Sequence, residues 1–225
     1  MRILLVSDRE EHRLWGAWSP EVAKEMEEVD VILSAGDLSP YYLEFLVTMV
    51  NVPLYYVRGN HDTQYDVHPP EGCINVDEAV FEFDGVRIAG LGGSMKYKNS
   101  KDMYTEREMR GKVRSLKKAI RKKAFRDRLF RLTHREIESA QPDSGRAGQI
   151  DILLTHAPCR GYGDMEDIAH RGFECFNQLL DELQPAYHCY GHIHMEYGYG
   201  TARRIIEHPS GTTLINGCGM YIFDI

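Results

Sequence analysis

Pro53-Leu54-Tyr55-Tyr56-Val57-Arg58-Gly59-Asn60-His61-Asp62 is an apolar run that stops on a cluster of polar, metal-seeking side chains. Short apolar runs of this length read as buried strands. The same pattern recurs on both sides of it. Upstream, Ile3-Leu4-Leu5-Val6-Ser7 runs into Asp8, and Val31-Ile32-Leu33-Ser34-Ala35-Gly36 runs into Asp37. Downstream, Ile150 through Thr155 runs into His156, and Tyr187-His188-Cys189-Tyr190 runs into Gly191-His192-Ile193-His194. Functional groups in open α/β sheets gather outside the strand ends. Five such strands laid side by side would bring two Asp, one Asn and several His to one edge. Oxygen and imidazole donors in that mixture suit divalent transition metals.

Between these runs the chain alternates strand and helix. Ser19-Pro20-Glu21 opens a helix through about Glu28, with Ser as cap and Pro in the first turn. Ser39-Pro40 opens a second, through about Val50, while Trp15 and Trp18 fall in a loop. Strand-helix-strand repetition implies parallel strands with right-handed crossovers. The pattern changes at Asp84-Gly85, a hairpin signal between Val80–Phe83 and Val86–Ala89. Thr105 to about Ser139 reads as helical, with Val113, Leu116 and Ile120 on one face. Pro142 to Gly148 reads as a polar loop, and a helix is expected from about Gly172 to Leu183. Short strands near Ile205-Ile206, Thr213–Ile215 and Tyr221–Phe223 end the chain.

Composition narrows the class. The 225 residues carry a net charge of −7 and are 43% hydrophobic, enough for one large domain over 1–225. No long uncharged apolar run predicts a membrane span. The N-terminus meets Asp8 too soon for a signal peptide. Five scattered cysteines, with no Cys-x-x-Cys pair, fit reduced thiols and a cytoplasmic location. Cys159, three residues after His156, could lie near the site; the plainer use is a small buried thiol. Charge is uneven. Lys96 to Arg135 holds 16 Lys and Arg against 4 Asp and Glu, inside a basic helical insertion spanning about 95–148. Such an arm could draw an anionic substrate or nucleic acid toward the site, or dock as an amphipathic face on the acidic body.

Taken in order, the blocks resemble the calcineurin-like metallophosphoesterases. That family pairs D-x-H, G-D, G-N-H-[DE], an isolated His at a strand end, and G-H-x-H. Four blocks stand intact here, as Gly36-Asp37, Gly59-Asn60-His61-Asp62, His156 and Gly191-His192-Ile193-His194. The first reads Asp8-Arg9-Glu10, with Glu10 where the family has His. The resemblance implies an α/β fold, a four-layer αββα sandwich of two mixed sheets flanked by helices. It also implies two divalent metal ions. Asp37 would bridge them, with Asp8, Glu10 and His194 on the first and Asn60, His156 and His192 on the second.

The implied reaction is hydrolysis of a phosphodiester or phosphomonoester by in-line attack of a metal-bound hydroxide. His61 would be the catalytic group, a general acid or transition-state stabiliser rather than a ligand. Arg9, Arg58 and Asp62 adjoin the blocks and are candidates for substrate contact. A carboxylate at position 10 shifts the expectation toward Mn²⁺, with Fe, Zn or Ni as alternatives. His12 could reach the metal in place of Glu10, or the first metal could bind weakly. The segment from Gly161 to Phe173 follows the His156 strand and reads as a substrate-side loop, in which Tyr162 and Phe173 could flank a flat group. The competing readings are a nuclease using the basic arm and a non-catalytic protein-interaction module on the same fold.

Overall fold

The structure, a computed structural model, describes residues 1–133, 149–196 and 202–225. Its first sheet is built from β1 (Arg2–Ser7), β2 (Val31–Ser34), β3 (Leu54–Tyr56), β4 (Ile74–Asn75) and β13 (Gly219–Asp224). Their order across the sheet is β13-β1-β2-β3-β4. The second sheet is built from β5 (Val80–Phe83), β6 (Val86–Leu91), β9 (Ile152–Thr155), β10 (Tyr187–Tyr190), β11 (Ile205–Glu207) and β12 (Thr213–Asn216). Their order is β11-β12-β10-β9-β6-β5. Strands β1 to β4 are mutually parallel, as are β6, β9, β10 and β12. β13, β5 and β11 pair antiparallel at the flanks, so both sheets are mixed.

Period-two alternation along fully apolar strands builds four layers. Ile3, Leu5, Val31, Leu33 and Tyr55 point between the sheets and meet Ile88, Ile152, Leu154, Cys189 and Ile215. Leu4, Val6, Ile32 and Tyr56 point the other way, onto a helical layer. That layer is α1 (His12–Trp15), α2 (Pro20–Met26) and α3 (Pro40–Val50). On the far side, Ala89, Leu91 and Leu153 pack against α4 (Glu106–Thr133) and α5 (Glu174–Leu183). Strands buried on both faces need no polar alternation, which is why these runs are continuously apolar.

The ligand-bearing strands do not lie side by side in one sheet. β1, β2 and β3 belong to the first sheet, and β9 and β10 to the second. The two sheets face each other, and their strand ends meet at one rim. Apolar runs reveal strands but not their partners; the two mixed sheets came from the resemblance, and the structure shows which strand joins which. Two smaller differences are local. The Trp15 loop carries the single turn α1, which no side chain caps. The start of the basic segment forms a two-stranded parallel ribbon, β7 (Ser94–Met95) with β8 (Met103–Tyr104).

The basic segment is then one helix as far as it is described. Thr105 and Glu108 close a capping box at its start: Glu108 N–H donates to Thr105 Oγ1 at 3.3 Å and Thr105 N–H to Glu108 Oε2 at 2.7 Å. Met109, Val113, Leu116 and Ile120 form the buried stripe. Its inward cations meet acids of the body: Lys112 meets Asp77 at 2.6 Å and Lys123 meets Glu82 at 2.9 Å. Glu78 N–H donates to Gly90 O, near the end of β6, whereas Glu82 pairs with Arg87 at its start. The helix therefore runs from the ligand rim toward the opposite edge. The expected continuation to Ser139 and the loop 142–148 lie outside the described residues.

Candidate metal centre

Each ligand block turns sharply after its strand. Asp8, Asp37 and His192 all have left-handed backbones, with φ of 62°, 56° and 69°. Non-glycine residues adopt that conformation at a cost, and such positions gather at functional sites. Two neighbouring glycines permit the close approach. A Cβ on Gly59 would lie 2.0 Å from Asp37 Oδ1, and one on Gly191 would lie 1.8 Å from Ser7 Oγ. Asp62 braces the same turns. Its buried Oδ2 accepts from Gly59 N–H at 2.7 Å and from Asp37 N–H at 2.9 Å, joining the second and third blocks.

Hydrogen bonds fix which imidazole nitrogen faces inward. His156, fully buried, donates through Nδ1 to Ala35 O at 2.7 Å, since a carbonyl only accepts. Its Nε2 then faces Asn60 Oδ1 at 3.0 Å and Asp37 Oδ2 at 3.4 Å. His192 donates through Nε2 to Ala169 O at 2.7 Å, which leaves Nδ1 as its lone-pair donor. Backbone carbonyls commonly set the tautomer of metal-binding histidines in this way. Asp37, His156 and His192 have donor atoms within 4.8 Å of one another. Asp8, its side chain buried, accepts from His192 N–H at 2.9 Å and from Ser7 Oγ. His194 Nε2 stands 4.0 Å from Asp8 Oδ1.

The electrostatics of this centre call for a cation. Neither Asp8 nor Asp37 pairs with a Lys or Arg among the described residues. Burial pulls the His156 imidazole down, but Asp37 and Asp8 outweigh it and push it up to about 9. Burial pushes Asp37 up, yet His156 and the His61 N–H bring it down to about 2. Asp8 is raised by burial. His192 is pulled down to about 3 by burial and by His156, and so stays neutral. His156 Nε2, Asn60 Oδ1 and Asp37 Oδ2 are three acceptors converging on one point. A proton there is the minimal cation; a divalent metal fits the same oxygen and nitrogen set.

The remaining candidates fall in different places. His61 is exposed at the mouth, and its backbone N–H donates to Asp37 Oδ1 at 2.7 Å. Glu10 is exposed, and its Oε1 accepts from Ser39 N–H at 3.3 Å, at the start of α3. His12 opens α1 and lies over Gly16. Arg9 pairs with Glu196 at 2.6 Å on the surface. Arg58 is spent on Asp66 at 2.7 Å, Asp102 at 3.0 Å and Asp62 O at 2.8 Å. These contacts fasten the Asn60-His61 turn to the start of the basic segment.

The loop after β9 reaches the rim through Ala169 and His170. The His170 ring lies 5.4 Å from that of His192, with Nδ1 at 2.9 Å from Asp167 Oδ1. Tyr162 packs on His208, and Phe173 is core. Cys159 is buried beside His188, a small internal thiol. Sequence reasoning missed Ala35 and Ala169, which act through backbone carbonyls and leave no side-chain signal. It also missed a second cluster, His194, Glu196 and Cys218, whose donor atoms lie within 4.8 Å of one another.

Comparison with known proteins bears on this rim. A family model described as calcineurin-like phosphoesterase matches residues 1–196. UPF0046 protein T07D4.2 of Caenorhabditis elegans is 43% identical over 54 residues, 23% of this chain and 14% of that protein. UPF0046 protein C25E10.12 of the same organism is 36% identical over 59 residues, 24% of this chain and 21% of that protein. The matches thus span far less than two thirds of those relatives. A solved structure, TT1561 of Thermus thermophilus, superposes with a TM-score of 0.56 at 14% identity, covering 97% of this chain and 89% of that one. At that identity the likeness speaks to fold alone.

Proposed function

This chain belongs to the calcineurin-like phosphoesterase family, and from that premise we propose that it hydrolyses a small phosphodiester or phosphomonoester at a two-metal site on the rim between its sheets. One observation carries the reading. The Asp37 carboxylate converges with His156 Nε2 and Asn60 Oδ1, the buried Asp8 carboxylate lies 4.0 Å from His194 Nε2, and neither has a Lys or Arg partner among the described residues. Asp37, whose Oδ2 faces His156 Nε2 at 3.4 Å and whose Oδ1 accepts from His61 N–H, is assigned the bridging position. Asp8 and His194 would hold one ion, and Asn60, His156 and His192 the other. Bound divalent ions supply charge neutralisation and activated water at neutral pH.

The chain's own groups do the rest. His192 and His156 present fixed lone pairs because Ala169 O and Ala35 O hold their other nitrogens. Asn60 contributes a neutral oxygen, which limits the negative charge facing an anionic substrate. His61 is exposed, with its backbone N–H on Asp37, and we assign its ring to the substrate rather than to a metal. An imidazole there can give a proton to a leaving oxygen near neutral pH. Arg9 and Arg58 are engaged in ion pairs and are not assigned to substrate. The outward cations of α4 run away from the rim, which favours a small ester over nucleic acid. Mn²⁺ is the first ion to try, with Fe, Zn and Ni beside it.

The test is hydrolysis of aryl phosphodiesters and phosphomonoesters by metal-stripped protein, before and after each ion is restored. Turnover that returns with metal supports the reading, and the diester-to-monoester ratio assigns the ester class. Two bound ions with no turnover on either ester, or on a panel of small phosphate esters, would overturn it in favour of an interaction module.

A further inference from the structure

Resting on that reading, we propose that Cys218 is a metal ligand of the first site, in the place that the family's D-x-H block leaves to residue 10. Glu10 carries a carboxylate where the family has imidazole, and that carboxylate is exposed and turned to Ser39 N–H at 3.3 Å. The Asp8–His194 pair would otherwise be short of a donor.

Cys218 stands where one is needed. It lies between β12 and β13, where the chain crosses from the second sheet to the first at the ligand rim. It bridges to Ser7, the residue before Asp8. Its thiol is within 4.8 Å of His194 and Glu196 donor atoms, and His194 Nε2 is itself 4.0 Å from Asp8 Oδ1. Of the two further donors in this cluster, Glu196 is exposed and paired with Arg9 at 2.6 Å. Cys218 is 2% exposed, and its thiol, unlike the Glu196 carboxylate, is in no ion pair among the described residues.

The position is built rather than incidental. The buried Asn216 side chain donates through Nδ2 to Ile193 O at 2.7 Å and accepts from Cys218 N–H at 2.9 Å through Oδ1. One amide therefore holds the Cys218 turn in register with the His192-Ile193-His194 turn. Arg204 closes the same segment from outside, donating to Asn216 O at 2.8 Å and Cys218 O at 3.1 Å. A site made of Asp8, Asp37, His194 and Cys218 has four donors, the usual number for zinc. On binding, the thiol proton leaves to solvent and a sulfur–metal bond replaces the S–H bond. A thiolate is softer than the carboxylate of Glu10, so this assignment turns the first site's preference from Mn²⁺ toward Zn²⁺, Fe²⁺ or Co²⁺.

The experiment uses the full chain, stripped and titrated with Co²⁺, and reads absorption and bound cobalt together. Wild-type protein is expected to bind two Co²⁺ and to show a near-ultraviolet sulfur-to-cobalt charge-transfer band. The band should vanish in Cys218→Ser and persist in Glu10→Gln and in Cys73→Ser, the last a control for thiols elsewhere. The wild-type spectrum alone is informative, so the idea survives a poorly folding variant. Bound cobalt with no such band in wild type, or a band retained in Cys218→Ser, would overturn the assignment and leave the phosphoesterase reading standing. No bound cobalt at all would overturn both.

Discussion

Gly191 shows how little room the rim leaves at a single residue. A Cβ there would lie 1.8 Å from Ser7 Oγ and 2.7 Å from Asp8 Oδ2, so a side chain must push the Asp8 carboxylate aside. Gly191→Ala is expected to fold and to lower turnover on the order of 100-fold, the usual consequence of misplacing a reacting group by about 1 Å. Metal content and kcat, measured together, check this: wild-type values for both would contradict it. At this scale the sequence was informative wherever a side chain carries the chemistry. Asp8, Asp37, Asn60, His156, His192 and His194 reach one rim, as their places after apolar runs suggested. It was silent where the backbone acts, as with Ala35 O and Ala169 O. At position 10 the sequence left Glu10 and His12 both open, because a family pattern shows which residue is replaced but not where the replacement points. Glu10 points to α3.

At the scale of elements, α4 shows what amphipathic spacing can and cannot reveal. Val113, Leu116 and Ile120 marked its buried face, while the Thr105–Glu108 capping box at its start emerged only in the structure. Its many cations did not reveal that several were committed inward, because ion-pair partners such as Asp77 and Glu82 lie far away in sequence. Leu116 is fully buried between α4 and the second sheet. Leu116→Ala is expected to cost about 2–5 kcal/mol in chemical denaturation, as core truncations do. The exposed Lys118→Gln should stay within about 0.5 kcal/mol of wild type. Equal effects would mean that α4 is not docked as described. The Asp84-Gly85 hairpin was legible because both turn residues take positive φ, 47° and 79°, which few residue pairs accept so readily. The turn α1 and the ribbon β7–β8 were not, being too short for periodicity to register.

Across the whole molecule, the rim is where two sheets are joined. Asp8, Asp37 and Asn60 come from the first sheet and His156, His192 and His194 from the second. Ions held between them would cross-link the sandwich. A ligand at 100 times its Kd stabilises by about 2.7 kcal/mol. For a chain of this size that corresponds to a rise in Tm on the order of 5–10 °C. Thermal melts with added metal and with chelator should differ by that amount in wild type, and should coincide in Asp37→Ala. A chelator-insensitive wild type would mean that the sheets are not bridged by metal. No described helix is long and apolar enough to cross a membrane.

The most direct test compares Asp37→Ala and His61→Ala for bound metal and for hydrolysis of an aryl phosphate ester in the same preparations. Asp37 offers its carboxylate to the centre, whereas His61 touches it through a backbone N–H that alanine retains. The expected result is that Asp37→Ala loses metal and turnover together. His61→Ala should keep its metal and lose rate by on the order of 100-fold or more, most with poor leaving groups. Equal metal loss in both variants, or full turnover in either, would contradict the division of this rim into metal ligands and a separate acid.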